Sequence, residues 1–440
     1  MEGFLSSFRA IILRNSQIPA SLLILLILYS FFSQFLPIEP YLVPYLTTVK
    51  HFTNYEVAID IYPFSVYAQL FFTLFMVPAC FFLSHKVVIS LGALAMLITY
   101  LIIWCEKSLL AMQIMQVIYG FGMAARLVFS SYIFLLVPEG DYQHMISITT
   151  TTSLLSFMLA SELSQLLALV TTSYSVMFIL TLSSLGICCL VTFILPKDHT
   201  SDYVYPLATF WSQNEGWIAI LRETWHGRSL QILSIWWAVA YAGFSLVQNY
   251  GTNLFDAIDP QSKFNGHIIA ASQVAGSLGS LFAIYLDPIA VNTGLAVYVF
   301  GVAAMGTICL AMGLYKDTTA AYCLYILISG IYQALACLVS VRCGRLLTNK
   351  RFILMFSVNY FAGLLLETII QAALEISGLS IFNQFISFGA FFFSTTVAFA
   401  ILYCVDQESR RGITTSEVGL DCKFQRIEDS QTNLEHKYEN

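Results

Sequence analysis

The chain has 440 residues, of which 58% are hydrophobic, 15% aromatic and only 10% charged, and its mean hydropathy is +0.75. Soluble proteins carry about 25% charged residues, so this composition excludes a water-exposed globular surface. The net charge is −6 without a basic run, which excludes nucleic acid as a partner. The ten cysteines are scattered through apolar stretches, which argues against a disulfide framework or a metal site. The lipid bilayer is the partner that this composition predicts.

Apolar runs of about 20 residues recur along the chain, which is the length of a helix that crosses a bilayer. They predict an all-α membrane protein with twelve transmembrane helices in two six-helix lobes, residues 1–195 and 230–404. A cytoplasmic connector is predicted at 196–229, and a disordered cytoplasmic tail at 405–440. The predicted spans are 19–47, 61–84, 87–105, 108–137, 144–171, 174–195, 230–256, 265–287, 291–314, 319–341, 352–376 and 379–404.

Lysine and arginine residues predict how these helices are oriented. If both termini are cytoplasmic, fifteen of the twenty basic residues lie on the cytoplasmic side and four on the other side. The remaining one, Arg126, falls inside a span. The distribution agrees with the positive-inside rule, and therefore with both termini in the cytoplasm.

Two sets of six helices joined by a connector are typical of a two-lobed secondary transporter, in which the substrate binds between the lobes near mid-membrane. A channel and a receptor remain as alternatives, but neither explains this division. The seven histidines are dispersed, so an enzyme is not expected. No ATP-binding motif and no cofactor motif is present, and a gradient of protons or of an organic anion is therefore expected to drive transport.

Arg126 lies midway along the fourth predicted helix, in YGFGMAARLVFSSYIF. A charge at this depth is costly and needs a partner, so it predicts either a structural ion pair or a contact with substrate or a gate. Glu39 precedes Pro40 and Pro44, which are expected to break the first helix and free carbonyl groups beside a cavity. The alternative for Glu39 is a water-exposed position at the membrane interface. Tyr119 lies about two turns before Arg126.

The fifth predicted helix carries Glu162 and Gln165 among small hydroxyl residues. The run Thr149–Thr152 is expected to bond to the preceding helical turn. Glu162 is predicted to be either a partner of Arg126 or a proton carrier, and Glu367 in the eleventh span has the same two interpretations. Arg351 ends the basic segment RCGRLLTNKR, where a cytoplasmic anchor is the simpler interpretation.

Five segments together resemble the folate and thiamine carriers of the solute carrier type, within the major facilitator superfamily. The resemblance covers roughly residues 31–400. The segments are EPYLVPYLT at 39–47, YGFGMAARLVFSSYIF at 119–134 with YQ at 142–143, IWWAVAYAGFSLVQNY at 235–250, FNG at 264–266 and NKRFILMFSVNYF at 349–361.

The resemblance implies a major-facilitator fold, alternating access, a vitamin as substrate and a location in the plasma membrane. Folate carriers have Arg at the position of Arg126, where thiamine carriers have Glu. Both groups keep residues like Glu39, Tyr119 and Arg351. The chain departs from the family at four positions: Gln116 replaces an acid, Asn383 a folate-carrier Lys and His85 an Asp, while Asn249 is like thiamine carriers.

These residues favour a folate-type anion as the substrate. Reduced folates carry two carboxylates, which Arg126 and Arg351 are able to bind. Thiamine is a cation that needs carboxylates and an aromatic face, and a nearby buried arginine disfavours it. Thiamine is the alternative, followed by another heterocyclic solute. A transport-inactive membrane receptor or scaffold is the alternative from another class.

In a folate-type site, Arg126 is expected to bind the substrate carboxylate, Tyr119 to stack on the heterocycle and Glu39 to bond the ring nitrogens. The opposite walls are expected to come from Gln165, Asn249 and Asn383, with Gln116 and Arg351 as further contacts. The candidates for a proton carrier or gate are Glu162, His85 and Glu367.

Overall fold

The computed structural model describes residues 18–53, 55–171, 173–197, 217–259, 264–347 and 350–405. The predicted tail and most of the predicted connector lie outside these residues. The helices are α1 (Ala20–Phe32), α2 (Leu42–Thr48), α3 (Pro63–Leu83), α4 (His85–Cys105), α5 (Leu109–Leu136), α6 (Tyr142–Val170), α7 (Ser175–Ile194), α8 (Trp217–Thr224), α9 (Arg228–Ile258), α10 (Asn265–Thr293), α11 (Ala296–Leu314), α12 (Thr318–Leu346), α13 (Phe352–Ser377) and α14 (Ile381–Val405).

Eleven helices of the described residues are long and apolar enough to cross a membrane, namely α3 to α7 and α9 to α14. They match eleven of the twelve predicted spans to within a few residues at most ends. The largest difference in a helix boundary is at the end of α10. This helix continues through Pro288 to Thr293, whereas the predicted span ends at residue 287. A proline in a helix removes the hydrogen bond to the carbonyl four residues before it. Past Pro288 the helix continues, and the Ala290 carbonyl accepts both the Gly294 N–H and the Arg342 side chain.

The first predicted span, 19–47, is broken, and the break begins earlier than predicted. The segment consists of the short helix α1, a turn, a single 3₁₀ turn at Glu39–Tyr41 and the short helix α2. Pro37 is the physical reason that α1 ends so early, because a proline ring cannot donate to the carbonyl four residues before it. The expected break at Pro40 and Pro44 therefore begins about two turns earlier than those prolines.

Side chains of neighbouring helices donate to the last carbonyl groups of α1, and the Phe31 carbonyl also accepts backbone N–H groups. The hydroxyl of Ser156 donates to the Phe31 carbonyl at 2.6 Å, and the hydroxyl of Ser184 donates to the Phe32 carbonyl at 2.8 Å. Irregular backbone at membrane depth is tolerated where protein groups replace the missing hydrogen bonds. The small hydroxyl residues of α6 and α7 therefore stabilise the break in the first span.

The helices form two groups, one from the N-terminal and one from the C-terminal part of the chain. In the N-terminal lobe α5 packs against α3 and α4, and α1 packs against α6 and α7. In the C-terminal lobe α10 and α9 pack against α12, and α9 packs against α13. The lobes meet through α6 with α10 and through α13 with α3 and α5. Side chains of α3, α5, α6, α10 and α13 therefore line the interface between the lobes.

One end of the bundle, where α7 ends and α9 begins, is called the connector end here, and the opposite end is the distal end. At the connector end the Phe134 ring lies between the rings of Phe352 and Phe356, with both centroid distances 5.3 Å. Tyr142 packs edge-on against Phe352 at 6.3 Å. This aromatic cluster joins the two lobes at the connector end.

An ion pair inside the C-terminal lobe gives a test of its stability. Nη1 of Arg345 lies 2.9 Å from both carboxylate oxygens of Asp287, and the two side chains are only 24% and 20% exposed. We expect Asp287→Asn to lower the free energy of unfolding by about 3 kcal/mol, because it leaves the guanidinium buried and uncompensated. Thermal unfolding of the detergent-solubilised protein measures this change. An unchanged melting temperature would contradict it.

Candidate functional site

The guanidinium group of Arg126 occupies the position that the break in the first span creates. Nη2 donates to the carbonyl of Ser33 at 3.0 Å, which is the carbonyl that Pro37 is unable to satisfy. Arg126 also interacts electrostatically with Glu39, on the far side of the same break. The side chain of Arg126 is only partly buried, so part of its hydrogen-bonding capacity is open.

Two tyrosines complete the environment of Glu39. The hydroxyl of Tyr100 donates a short hydrogen bond to the Glu39 carboxylate, and the hydroxyl of Tyr119 interacts with the same carboxylate. Arg126, Glu39, Tyr100 and Tyr119 are called the Arg126 cluster below. The cluster combines one cation, one anion and two phenols at membrane depth, which is costly unless the groups have a function or compensate one another.

The C-terminal lobe reaches the Arg126 cluster through Tyr360 of α13. The Tyr360 hydroxyl interacts electrostatically with Arg126 and with Tyr119. Nε2 of Gln69 in α3 donates to it at 2.8 Å, and the Tyr241 hydroxyl donates to it at 3.1 Å. Polar groups of both lobes therefore meet in one place, as an alternating-access site requires.

A polar stripe runs along α9 from Tyr241 through Ser245 to Asn249, with a spacing of four residues. Ser245 Oγ and Asn249 Nδ2 donate to the same oxygen of Glu367 in α13, at 2.7 and 2.8 Å. Glu367 follows Tyr360 by seven residues and therefore lies on the same face of α13. The C-terminal lobe thus contributes a carboxyl group to this region.

A cavity of about 250 Å³ lies between the lobes on the connector side of Arg126. Its walls include hydroxyl groups of Ser130, Thr150 and Ser153, the amide of Gln333 and the Trp237 ring. The aromatic cluster of the connector end forms its floor through Phe134 and Phe356. Ligand pockets usually measure about 300–1,000 Å³, so this cavity has room for a ring system rather than for a whole drug-sized molecule.

The structure brings together Glu39, Tyr119 and Arg126 and, on the facing lobe, Asn249 and Glu367. Gln116 is buried in α5, one turn before Tyr119. The other predicted site residues lie elsewhere in the bundle.

Glu162 and Gln165 lie at the distal part of the lobe interface. Glu162 Oε1 is 3.1 Å from Nδ1 of His267 in α10, and the Gln165 amide packs against Gly266. Arg126 is therefore not paired with Glu162, contrary to one of the two interpretations of that carboxylate. The pair with His267 bridges α6 and α10, so it joins the lobes.

Arg351, His85 and Asn383 lie towards the helix ends. Nη1 of Arg351 is 2.9 Å from a carboxylate oxygen of Glu223 in the α8 segment. Arg351 also precedes Tyr360 by nine residues, or about 13 Å of helix. His85 is buried at the start of α4, and Asn383 is exposed in the first turn of α14. The structure does not bring these three side chains to the Arg126 cluster.

The expectation for Thr149–Thr152 is met in part. Thr149 and Thr152 donate to carbonyl groups of the preceding turn, whereas the Thr151 hydroxyl lies 2.6 Å from that of Ser280 in the other lobe. Sequence reasoning missed Tyr100, Gln69, Tyr241 and Tyr360. Two signals in the sequence could have found Tyr241 and Tyr360: the four-residue spacing of polar residues in α9 and the seven-residue spacing between Tyr360 and Glu367 in α13.

Comparison with known proteins decides the family. The model of the family described as "Reduced folate carrier" matches residues 20–216 and 206–387. The chain belongs to the reduced folate carrier family. Thiamine transporter 2 of Homo sapiens is 26% identical to this family member over 434 residues, covering 84% of this chain and 87% of the relative. Folate transporter 1 of Caenorhabditis elegans is 24% identical over 420 residues, covering 88% and 92%.

Solved structures show the fold of this reduced folate carrier family member. The E. coli fucose:proton symporter FucP superposes with a TM-score of 0.63 at 13% identity, covering 87% of this chain and 98% of FucP. FucP is a Major Facilitator Superfamily transporter. The chain therefore has the predicted major-facilitator fold, although its first span is broken. It is a multi-pass membrane protein of a transporter family and not an enzyme.

Proposed function

We propose that this chain is a secondary active transporter that moves a water-soluble vitamin across the plasma membrane by alternating access. The observation that carries the proposal is the meeting of both lobes at the Arg126 cluster, where Tyr360 and Gln69 join α13 to α3. The substrate binds there, with its charged group at Arg126 and an aromatic ring against Tyr119. Both termini are cytoplasmic, and the coupling solute is a proton or an organic anion.

Reduced folate is the first candidate substrate, and Arg126 supports it. Within the described residues Arg126 is the one basic side chain found midway along a transmembrane helix. Its open hydrogen-bonding positions suit a carboxylate, since a guanidinium binds carboxylates through parallel N–H groups. The cavity on the connector side has hydroxyl, amide and aromatic groups, which suit an uncharged heterocycle.

Thiamine is the second candidate, and the two carboxyl groups of the site favour it. Glu39 offsets part of the charge of Arg126. A folate with two carboxylates would need a second cation from the C-terminal lobe, but that lobe presents the carboxyl group of Glu367 there. Arg351 does not fill that need, because its guanidinium pairs with Glu223. A cationic ring system next to two carboxyl groups and several phenols is a favourable arrangement.

Uptake of labelled reduced folate and labelled thiamine, measured side by side in cells that lack both carriers, tests the proposal. We expect saturable uptake of one vitamin that the other, unlabelled, does not fully compete away. Uptake of reduced folate alone supports Arg126 as the dominant group, and uptake of thiamine alone supports Glu39 and Asn249. If the protein reaches the cell surface and takes up neither vitamin, the proposal fails and the receptor alternative gains support.

A further inference from the structure

Glu367 is a buried carboxyl group held by neutral donors. Its residue is only 8% exposed, and one oxygen accepts hydrogen bonds from Ser245 and Asn249 of α9. The other oxygen, Oε2, is buried and has no hydrogen-bond partner within the part of the chain that the structure describes. An unpaired carboxylate oxygen away from water is unfavourable, whereas a protonated Oε2 carries no charge there.

Within the part of the chain that the structure describes, the titratable groups that interact with Glu367 are phenols. Tyr241 and Tyr250 act on it from α9, Tyr332 from α12 and Tyr360 from α13. Among the described residues, no lysine, arginine or histidine forms an ion pair with it. Neutral neighbours do not compensate a negative charge, so the surroundings in this conformation are built for the protonated carboxyl group.

We propose that Glu367 is the site that binds the coupling proton, an inference that rests on the transport function proposed above. The proton adds to Oε2 from water on one side of the membrane and leaves from Oε2 to water on the other. No other bond forms or breaks. Asn249, which holds the other oxygen, is exposed, so the carboxyl group lies one hydrogen bond from an exposed side chain.

The position of Glu367 couples this proton to the movement of the lobes. The carboxyl group bridges α9 and α13, and two turns earlier on α13 Tyr360 contacts Gln69 of the N-terminal lobe. Loss of the proton leaves a charge between two packed helices, and this charge requires water or a cation. Deprotonation therefore favours a conformation in which α9 and α13 admit one of them.

Purified protein in liposomes with an imposed pH gradient tests this site. Three proteins are compared: the wild type, Glu367→Gln, and the matched control Glu375→Gln, whose side chain is exposed on the same helix. We expect Glu367→Gln to lose at least about tenfold of the gradient-driven accumulation of the transported vitamin. Its exchange of internal for external vitamin should fall by much less than its accumulation, since exchange needs no net proton movement. Glu375→Gln should behave as the wild type.

Two results overturn the assignment while leaving the transport function intact. One is gradient-driven accumulation by Glu367→Gln at the wild-type level, and the other is wild-type accumulation that ignores the pH gradient. If the wild type neither exchanges nor accumulates either vitamin, the proposed function and this inference both fall. If Glu367→Gln does not fold, the test uses the wild type instead: a pH-sensitive dye follows proton release or uptake when the vitamin is added. Absence of any proton release or uptake would overturn the assignment.

Discussion

Replacing Arg126 with glutamine is expected to lower vitamin uptake by about tenfold to a hundredfold while surface abundance stays near the wild-type level. A hydrogen bond to a charged group contributes about 1.5–3 kcal/mol, and each 1.4 kcal/mol is a factor of about ten. The glutamine side chain is two atoms shorter than that of arginine, so the Ser33 carbonyl loses this donor, which is a cost of one hydrogen bond to the fold. Initial uptake rates, normalised to surface protein, measure the effect.

A double variant separates the two interpretations of Arg126. If its guanidinium serves only to neutralise Glu39, removing both charges in Arg126→Gln with Glu39→Gln should restore uptake. If the guanidinium binds substrate, the double variant should remain as inactive as Arg126→Gln. Restored uptake would contradict the substrate contact that we assign to Arg126. Arg126→Lys keeps the charge without the planar fork and is expected to fall between the two levels.

The second large effect is expected from Gly279→Ala, which should prevent normal packing of the C-terminal lobe. A Cβ atom at Gly279 would lie 2.1 Å from the carbonyl oxygen of Gly330 in α12. Because that contact is with backbone, no side chain is able to move aside and the two helices must separate. Overpacking of this kind typically costs about 1–3 kcal/mol, and a backbone clash is at the upper end of that range.

Thermal unfolding in detergent and the yield of monodisperse protein measure the Gly279 effect. The matched control is Gly186→Ala in α7, where an added Cβ meets nothing within 4 Å. We expect the control to match the wild type and Gly279→Ala to unfold at a clearly lower temperature. Equal melting temperatures for the two variants would show that α10 and α12 are not packed as closely as described. Small residues at such crossings are typical of membrane helices.

Hydrophobic runs predicted eleven spans within a few residues at most ends, because bilayer thickness sets helix length and apolar residues report it directly. The position of the break in the first span was not predicted, because the effect of Pro37 depends on which neighbouring side chains replace the lost hydrogen bonds. Ser184 and Arg126 do so from helices that are remote in sequence. A pattern along one chain segment does not contain that information.

Some residues of the candidate site were predicted from the sequence and others were missed, for the same reason. Arg126, Glu39 and Tyr119 were predicted from local signals, namely a charge at membrane depth and a proline-broken helix. The partner of Glu162 was not predicted, because either lobe offered cationic side chains and only tertiary packing places His267 beside it. Tyr360 was missed for a related reason, since its seven-residue spacing from Glu367 gains meaning only when Gln69 of the other lobe is known to face it.

The position of bound vitamin is the measurement that tests the central claim most directly. A cryo-electron microscopy structure of the full chain, determined with a saturating concentration of whichever vitamin is taken up, would show that position. The account predicts ligand density between Arg126 and Tyr119 on one lobe and Tyr360 on the other. Density confined to a single lobe or to the lipid-facing surface, with the space beside Arg126 empty, would contradict it.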